Sequence, residues 1–132
     1  MLYLHIKLLL ITFILSVFLL GCSEAEIERH MEETLFSYER AIRWLSLVDA
    51  SAFQKRPEHI TDEEIQRHKK IRVTAYNVIQ IQYAPKKVMQ MVEIRYYHKD
   101  NPVERSMIDR QTWEYDEERE RWYLITALPR FK

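Results

Sequence analysis

The chain has 132 residues with 20 basic and 20 acidic side chains, so it carries no net charge, and neither a nucleic-acid partner nor an anionic surface is implied by that balance. It contains one glycine and one cysteine, Gly21 and Cys22, side by side. After residue 22 a P-loop or a dinucleotide turn, both of which need glycine for positive φ and close backbone approach, is excluded, as are cysteine-based zinc sites and cysteine nucleophiles.

The first predicted element is an apolar run, Leu8 to Leu20, broken only by Thr12 and Ser16 and preceded by His5 and Lys7. A short basic lead and an apolar stretch of this length have the layout of a signal peptide. As a helix it spans roughly 20 Å, short of the roughly 30 Å hydrocarbon core, and extending it backwards would bury Lys7. Leu19-Leu20-Gly21-Cys22 then resembles the lipobox of bacterial lipoproteins. That resemblance implies that the Cys22 thiol takes a diacylglyceryl group, that cleavage falls before it, and that the mature protein is held to a membrane by its lipid. Ser23, rather than aspartate, follows the cysteine, which in a Gram-negative cell implies the outer membrane, facing the periplasm. Residues 1–21 are thus read as a lipoprotein signal peptide and 22–132 as a single domain. With Lys7 gone, that domain holds 19 basic and 20 acidic residues.

Within the domain, Ser23-Glu24-Ala25-Glu26 has the Ser-x-x-Glu form of a capping box. Ile27, Met31, Leu35, Tyr38, Ile42, Leu45 and Val48 follow at spacings of three and four, which predicts a helix over 24–48 with one apolar stripe. The opposite face, with Arg29, Glu32, Glu33, Glu39 and Arg43, reads as solvated. A second cap, Thr61-Asp62-Glu63-Glu64, predicts a short helix over 62–70. Glu64 and His68 fall at i, i+4 on it, but two ligands make a poor metal site, and neither a metal nor a cofactor is implied.

From Ile71 the period changes to two. Strands are predicted over 71–83, 88–98, 103–115 and 121–128, with turns at Ala84-Pro85-Lys86-Lys87, at His98 to Pro102 and at Asp116 to Glu120. Ile71, Val73, Ala75, Asn77, Ile79 and Ile81 form the expected inner row of the first strand, and Val88, Gln90, Val92, Ile94 and Tyr96 that of the second. When apolar rows are made to meet, Ile81 faces Gln90 and Ile79 faces Val92, while Ile94 faces Met107, Val92 faces Asp109 and Gln90 faces Gln111.

The order is α+β, a long N-terminal helix packed on a curved antiparallel meander of about four strands. On "LVDASAF" (Leu47 to Phe53) and "TWEYDEERERWYLI" (Thr112 to Ile125) the chain resembles the nuclear transport factor two-like superfamily, cones in which a curved sheet wraps a long helix. Where relatives often carry glycine in the last hairpin, this chain has Glu117, Glu118 and Arg119. A cystatin-like helix on sheet is the alternative fold. The family resemblance implies no single activity.

The registers gather Asn77, Gln90, Asp109 and Gln111 among apolar neighbours as a candidate pocket. A carboxylate placed there is desolvated, which makes Asp109 the candidate general acid or base. The opposing readings are a bulge near Met107-Ile108 that turns Asp109 to solvent, and a polar cluster that satisfies itself. No second catalytic partner is evident: His98 falls at a hairpin end, and His30 and His59 in helix or loop. The expected function is a lipid-anchored, non-catalytic binding or assembly module of the cell envelope, partnered by an envelope protein or by a second copy through the sheet. The alternatives are a small-molecule enzyme of isomerase, dehydratase or hydrolase type using Asp109, and a carrier of an apolar ligand.

Overall fold

The computed structural model describes residues 1–44 and 46–132, without the side chains of residues 15–22. The Cys22 thiol and Leu45, assigned above to lipidation and to the apolar stripe, lie outside that description. The chain is α+β, and its described residues form helices followed by strands: α1 (Leu2–Trp44), α2 (Leu47–Ser51), α3 (Asp62–Lys69), β1 (Ile71–Ala84), β2 (Lys87–His98), β3 (Asn101–Asp116) and β4 (Arg121–Leu124). It forms two compact units, Met1–Glu33 and Thr34–Lys132. Among the described residues no helix is long and apolar enough to cross a membrane.

α1 does not begin at Ser23 as the capping box predicts. The residues before it are helical too, so the amides of 23–26 bond to carbonyls four residues back and the capping box has nothing to cap. Met31, Tyr38 and Ile42 of the predicted stripe are buried, with Ala41 beside them, while Val48 is exposed. Val48 falls in α2, which starts afresh after a break: Ser46 has extended backbone angles and its hydroxyl accepts from the Asp49 amide at 3.1 Å. The single predicted helix over 24–48 is therefore two. α3 has the cap expected of it, with Thr61 Oγ1 accepting from the Glu64 amide at 3.2 Å and Glu64 Oε2 accepting from the Thr61 amide at 3.0 Å.

The sheet is an antiparallel meander in the order β1-β2-β3-β4. β2 and β3 pair as predicted, Ile94 with Met107, Val92 with Asp109 and Gln90 with Gln111, and the predicted inner row of β2 is buried throughout. No bulge occurs at Met107-Ile108; the β2–β3 irregularity lies between Tyr96 and His98.

β1 departs from a plain alternation because its pairing with β2 slips one residue between Val73 and Ala75 and again between Val78 and Gln80. Each extra residue turns the following side chains to the other face. Tyr76 is buried where Asn77 was expected, Val78 rather than Ile79 pairs with Val92, and Ile79 is 56% exposed. The second slip restores the predicted pairing of Ile81 with Gln90.

Without glycine the turns use other residues in the left-handed region, Lys86 (φ 55°) and Glu120 (φ 51°). The last hairpin is closed by Asp116, whose carboxylate accepts from the Arg119 amide and guanidinium, both at 3.0 Å, and pairs with Lys55 at 3.2 Å. These partners hold its pKa down at about 2, led by the backbone bond.

β4 ends at Leu124, not at Leu128. Leu124 exchanges main-chain bonds with Phe53 and Lys55 in a parallel bridge. Beyond it the Ile125 amide still donates to the Thr112 carbonyl at 2.8 Å, but the Thr112 amide donates to Thr126 Oγ1 (3.3 Å), and Gln54 and Glu58 side chains bond the Thr126 carbonyl (3.2 Å) and the Leu128 amide (3.0 Å), so the ladder gives way to side-chain partners.

The helix and sheet layers meet in an aromatic cluster. Tyr38 of α1 stands edge-on to Trp113 of β3 (centroids 5.1 Å apart) and to Phe53 (5.6 Å), and both Tyr38 and Trp113 are fully buried. Such edge-to-face pairs add about 0.5–1.5 kcal/mol beyond their buried area. Val88, Val92, Ile94 and Leu124 complete the interior of the sheet.

Candidate functional site

The inner face of the sheet brings together three of the four residues predicted for the pocket. Gln90, on β2, and Asp109 and Gln111, two apart on β3, are all buried, while Asn77 is exposed, with Nδ2 donating to Glu93 at 3.3 Å. Tyr76 stands in its place. The alternation in the sequence gives no sign of this exchange, since Tyr76 belongs to the row expected to face out.

Gln111 is the centre of the group. Its Nε2 donates to Asp109 Oδ2 at 2.7 Å and to the Tyr76 hydroxyl at 2.8 Å. Its Oε1 accepts from Gln90 Nε2 at 2.7 Å and from Trp113 Nε1 at 3.1 Å. A primary amide has two N–H donors and an oxygen with two lone pairs, so the full capacity of Gln111 is spent inside the protein. The strand supplies this geometry directly: residues 109, 111 and 113 share one face of β3, and Gln90 is the cross-strand neighbour of Gln111.

Burial pushes the Asp109 pKa above the usual carboxylate range, with the hydrogen bond from Gln111 opposing the rise. Burial likewise raises the Tyr76 hydroxyl. Nearby, Tyr38 is fully buried, its hydroxyl has no hydrogen-bond partner among the described residues, and burial, followed by the charge of Asp109, raises its pKa well above the ordinary value. Tyr38 is a polar group that helical periodicity read only as part of an apolar stripe.

The other candidates are dispersed. Glu64 is occupied by its cap and by Arg130 (2.7 Å), and the backbone bond to Thr61 together with Arg130 lowers its pKa to about 2. His68 packs against Phe131 at 5.5 Å, and burial lowers its pKa. His98 Nε2 lies 3.0 Å from the main-chain oxygen of Lys132, and His30 Nε2 lies 3.8 Å from Glu26. Among the described residues no three His, Cys, Asp or Glu side chains are grouped to hold a metal ion.

Two clefts lie away from Asp109. One cleft of about 480 Å³ runs between α3, the start of β1 and the chain after β4, and a second of about 430 Å³ lies between the end of α1, α3 and β1. Asp109, Gln90 and Gln111 line neither. The larger cleft was not legible in the sequence, because one wall is the segment after Leu124, expected to be strand. No protein-family model matches the chain, and no curated protein or solved structure is significantly similar to it.

Proposed function

We propose that this protein is a lipid-anchored lipoprotein of the bacterial cell envelope whose domain, of the nuclear transport factor two-like kind, binds or assembles rather than catalyses. The anchor rests on Leu19-Leu20-Gly21-Cys22 and on the apolar run before it. The observation that carries the non-catalytic half is the saturation of Gln111: the amide beside Asp109 has no hydrogen bond left to offer a substrate, and the carboxylate is itself buried. A group of this kind specifies the packing of a core. Assembly through the sheet, with an envelope protein or a second copy, is supported by Val78, Ile79, Tyr83 and Met89, which are exposed along β1 and β2, β1 being an edge strand.

The raised pKa of Asp109 favours one alternative, a small-molecule enzyme that uses it as general acid or base. Two measurements on the full chain separate the readings. With a labelled fatty acid supplied to the producing cells, the parent incorporates label and Cys22→Ser does not; acylation of the variant would refute the anchor. With a water-soluble carbodiimide and an amine at mildly acidic pH, the exposed Asp49 and Asp100 are modified and Asp109 is not. Modification of Asp109 as fast as theirs would assign it to an open site.

A further inference from the structure

The segment after β4 is fastened along its length. The Leu128 amide donates to Glu58 at 3.0 Å; the Lys132 amide donates to the Tyr96 hydroxyl at 3.2 Å; and the Lys132 main-chain oxygen accepts from Tyr96 (3.1 Å) and from Arg105 Nη1 (2.7 Å). Between these points Phe131 stands edge-on to Tyr96, with centroids 4.9 Å apart, and against His68. The larger cleft, about 480 Å³, is therefore a built feature, with a wall tied to β2, β3 and the residues before α3. Its volume falls in the range of about 300–1,000 Å³ typical of small-molecule sites.

Its chemistry is divided. Leu47, Ile60, Ile71, Leu128 and Phe131 give it apolar walls. Its charged lining has four cationic side chains, Arg67, Lys70, Arg130 and Lys132, against two carboxylates, Glu58 and Glu64. Arg130 engages both carboxylates, at 3.0 and 2.7 Å, and Lys70 pairs with Asp100 at 3.2 Å. Among the described residues Arg67 and Lys132 form no ion pair, and both are exposed. An apolar trough with two uncommitted cations at its edge is complementary to a molecule with an apolar body and one negative end. A neutral apolar ligand would leave the cations unanswered, and a two-chain lipid is large for the volume.

We propose that this cleft binds a free long-chain carboxylic acid, its alkyl chain against Ile60, Ile71, Leu128 and Phe131 and its carboxylate at the rim formed by Arg67 and Lys132. This rests on the binding-module reading and names a ligand class for it. Each buried CH₂ adds favourable transfer free energy, so affinity rises with chain length until the cleft is filled.

The test uses the full chain in phospholipid nanodiscs, with a diazirine-bearing lauric acid as the probe and peptide mapping as the readout. The acid labels residues 60–71 and 128–131, about tenfold more than the matching diazirine alcohol, a ratio in keeping with one charge-assisted contact. Arg67→Gln with Lys132→Gln, both on the exposed rim, lowers that labelling about tenfold and leaves the thermal transition unmoved. Ile71→Trp, which fills the cleft, abolishes it. Equal labelling by the alcohol, labelling confined to other segments, no loss in the rim variant, or labelling of the same residues by a diazirine phospholipid of the disc would each overturn the assignment. Failure here, with Cys22 still acylated and Asp109 still inert to carbodiimide, removes the acid and leaves the binding-module reading standing; a reactive Asp109 removes that reading itself.

Discussion

Replacing Gln111 with leucine is the sharpest probe of the polar group inside the sheet. The two side chains have similar volume, so the cavity contribution is small and the change falls on hydrogen bonding. Four bonds disappear together, at 2.7, 2.7, 2.8 and 3.1 Å. At about 1 kcal/mol net for each, the loss is about 4 kcal/mol. It is a large fraction of the roughly 5–15 kcal/mol available to a domain, and the orphaned partners, Gln90 and Trp113 above all, are buried. Gln90→Leu is the control: it removes one bond and leaves Gln111 Oε1 with the Trp113 indole, so it costs about 1 kcal/mol. Urea denaturation at neutral pH, followed by tryptophan fluorescence, measures both, provided the dependence on denaturant is unchanged between variants. If the two substitutions cost the same, Gln111 is not the centre of the group, and the argument for a sealed, self-satisfied interior fails with it.

Three further outcomes follow from the same geometry. Ile94→Ala costs about 2–5 kcal/mol because Ile94 is fully buried, whereas Ile79→Ala, at the second β1 slip and mostly exposed, stays within about 0.5 kcal/mol in the same denaturation experiment; a comparable loss at Ile79 would refute the slip. Tyr38→Phe keeps the ring stack on Trp113 and Phe53 and removes a buried hydroxyl without a partner, so the thermal midpoint rises by an amount equivalent to about 1 kcal/mol; a drop would mean that the hydroxyl is bonded. Stability against pH carries two opposite slopes. Asp109 has a raised native pKa, so its contribution is present in acid and is lost as pH rises from about 3.8 through the native value, and Asp109→Asn removes that fall. Glu64 titrates at about 2 in the native state against 4.5 ordinarily, so its contribution is present above 4.5 and is lost as pH falls towards 2; Glu64→Gln removes that acid-side loss.

Much of this arrangement is legible in the sequence where two independent constraints coincide. The registers of β2 and β3 follow from matching apolar rows across a turn, and the same matching carries Gln90, Asp109 and Gln111 onto one face, because a ladder with no slip in that stretch leaves no freedom. β1 offers no such check. A row through Val73, Tyr76 and Ile81 is as acceptable as the strictly alternating one, and neither slip is marked by glycine, so a pattern of period two passes over both. Replacing Asn77 with Tyr76 in the group is the direct result. The end of β4 was hidden for a different reason. Ile125 to Leu128 has the composition of a strand, and what stops it is a long-range competition, with Gln54 and Glu58 taking main-chain groups about 70 residues away in sequence.

That competition ties the fold to the proposed site. Had the last strand continued to Leu128, its residues would have stayed in the ladder beside β3, and no segment would have turned towards α3 to wall the cleft. Glu58 holds the turn at both ends, accepting from the Leu128 amide and pairing with Arg130 at 3.0 Å. Its partner Gln54 also donates to it at 2.8 Å. The polar residues of this domain therefore do two separate jobs. Around Gln111 they satisfy one another and fix the layer between helix and sheet. Around Glu58 and Arg130 they consume the acidic side chains at the mouth of an apolar cleft, and the charge left over at Arg67 and Lys132 is positive. Reversing one of those commitments makes the link testable. Glu58→Gln keeps a carbonyl oxygen for the Leu128 amide and removes the negative charge, so the segment holds its course while Arg130 loses one of its two carboxylates. On the reasoning above that substitution strengthens binding of the acid probe, whereas Glu58→Ala, which also releases Leu128, weakens it by loosening the wall. An equal effect of the two would show that the charge, and not the fastening of the segment, is all that Glu58 contributes.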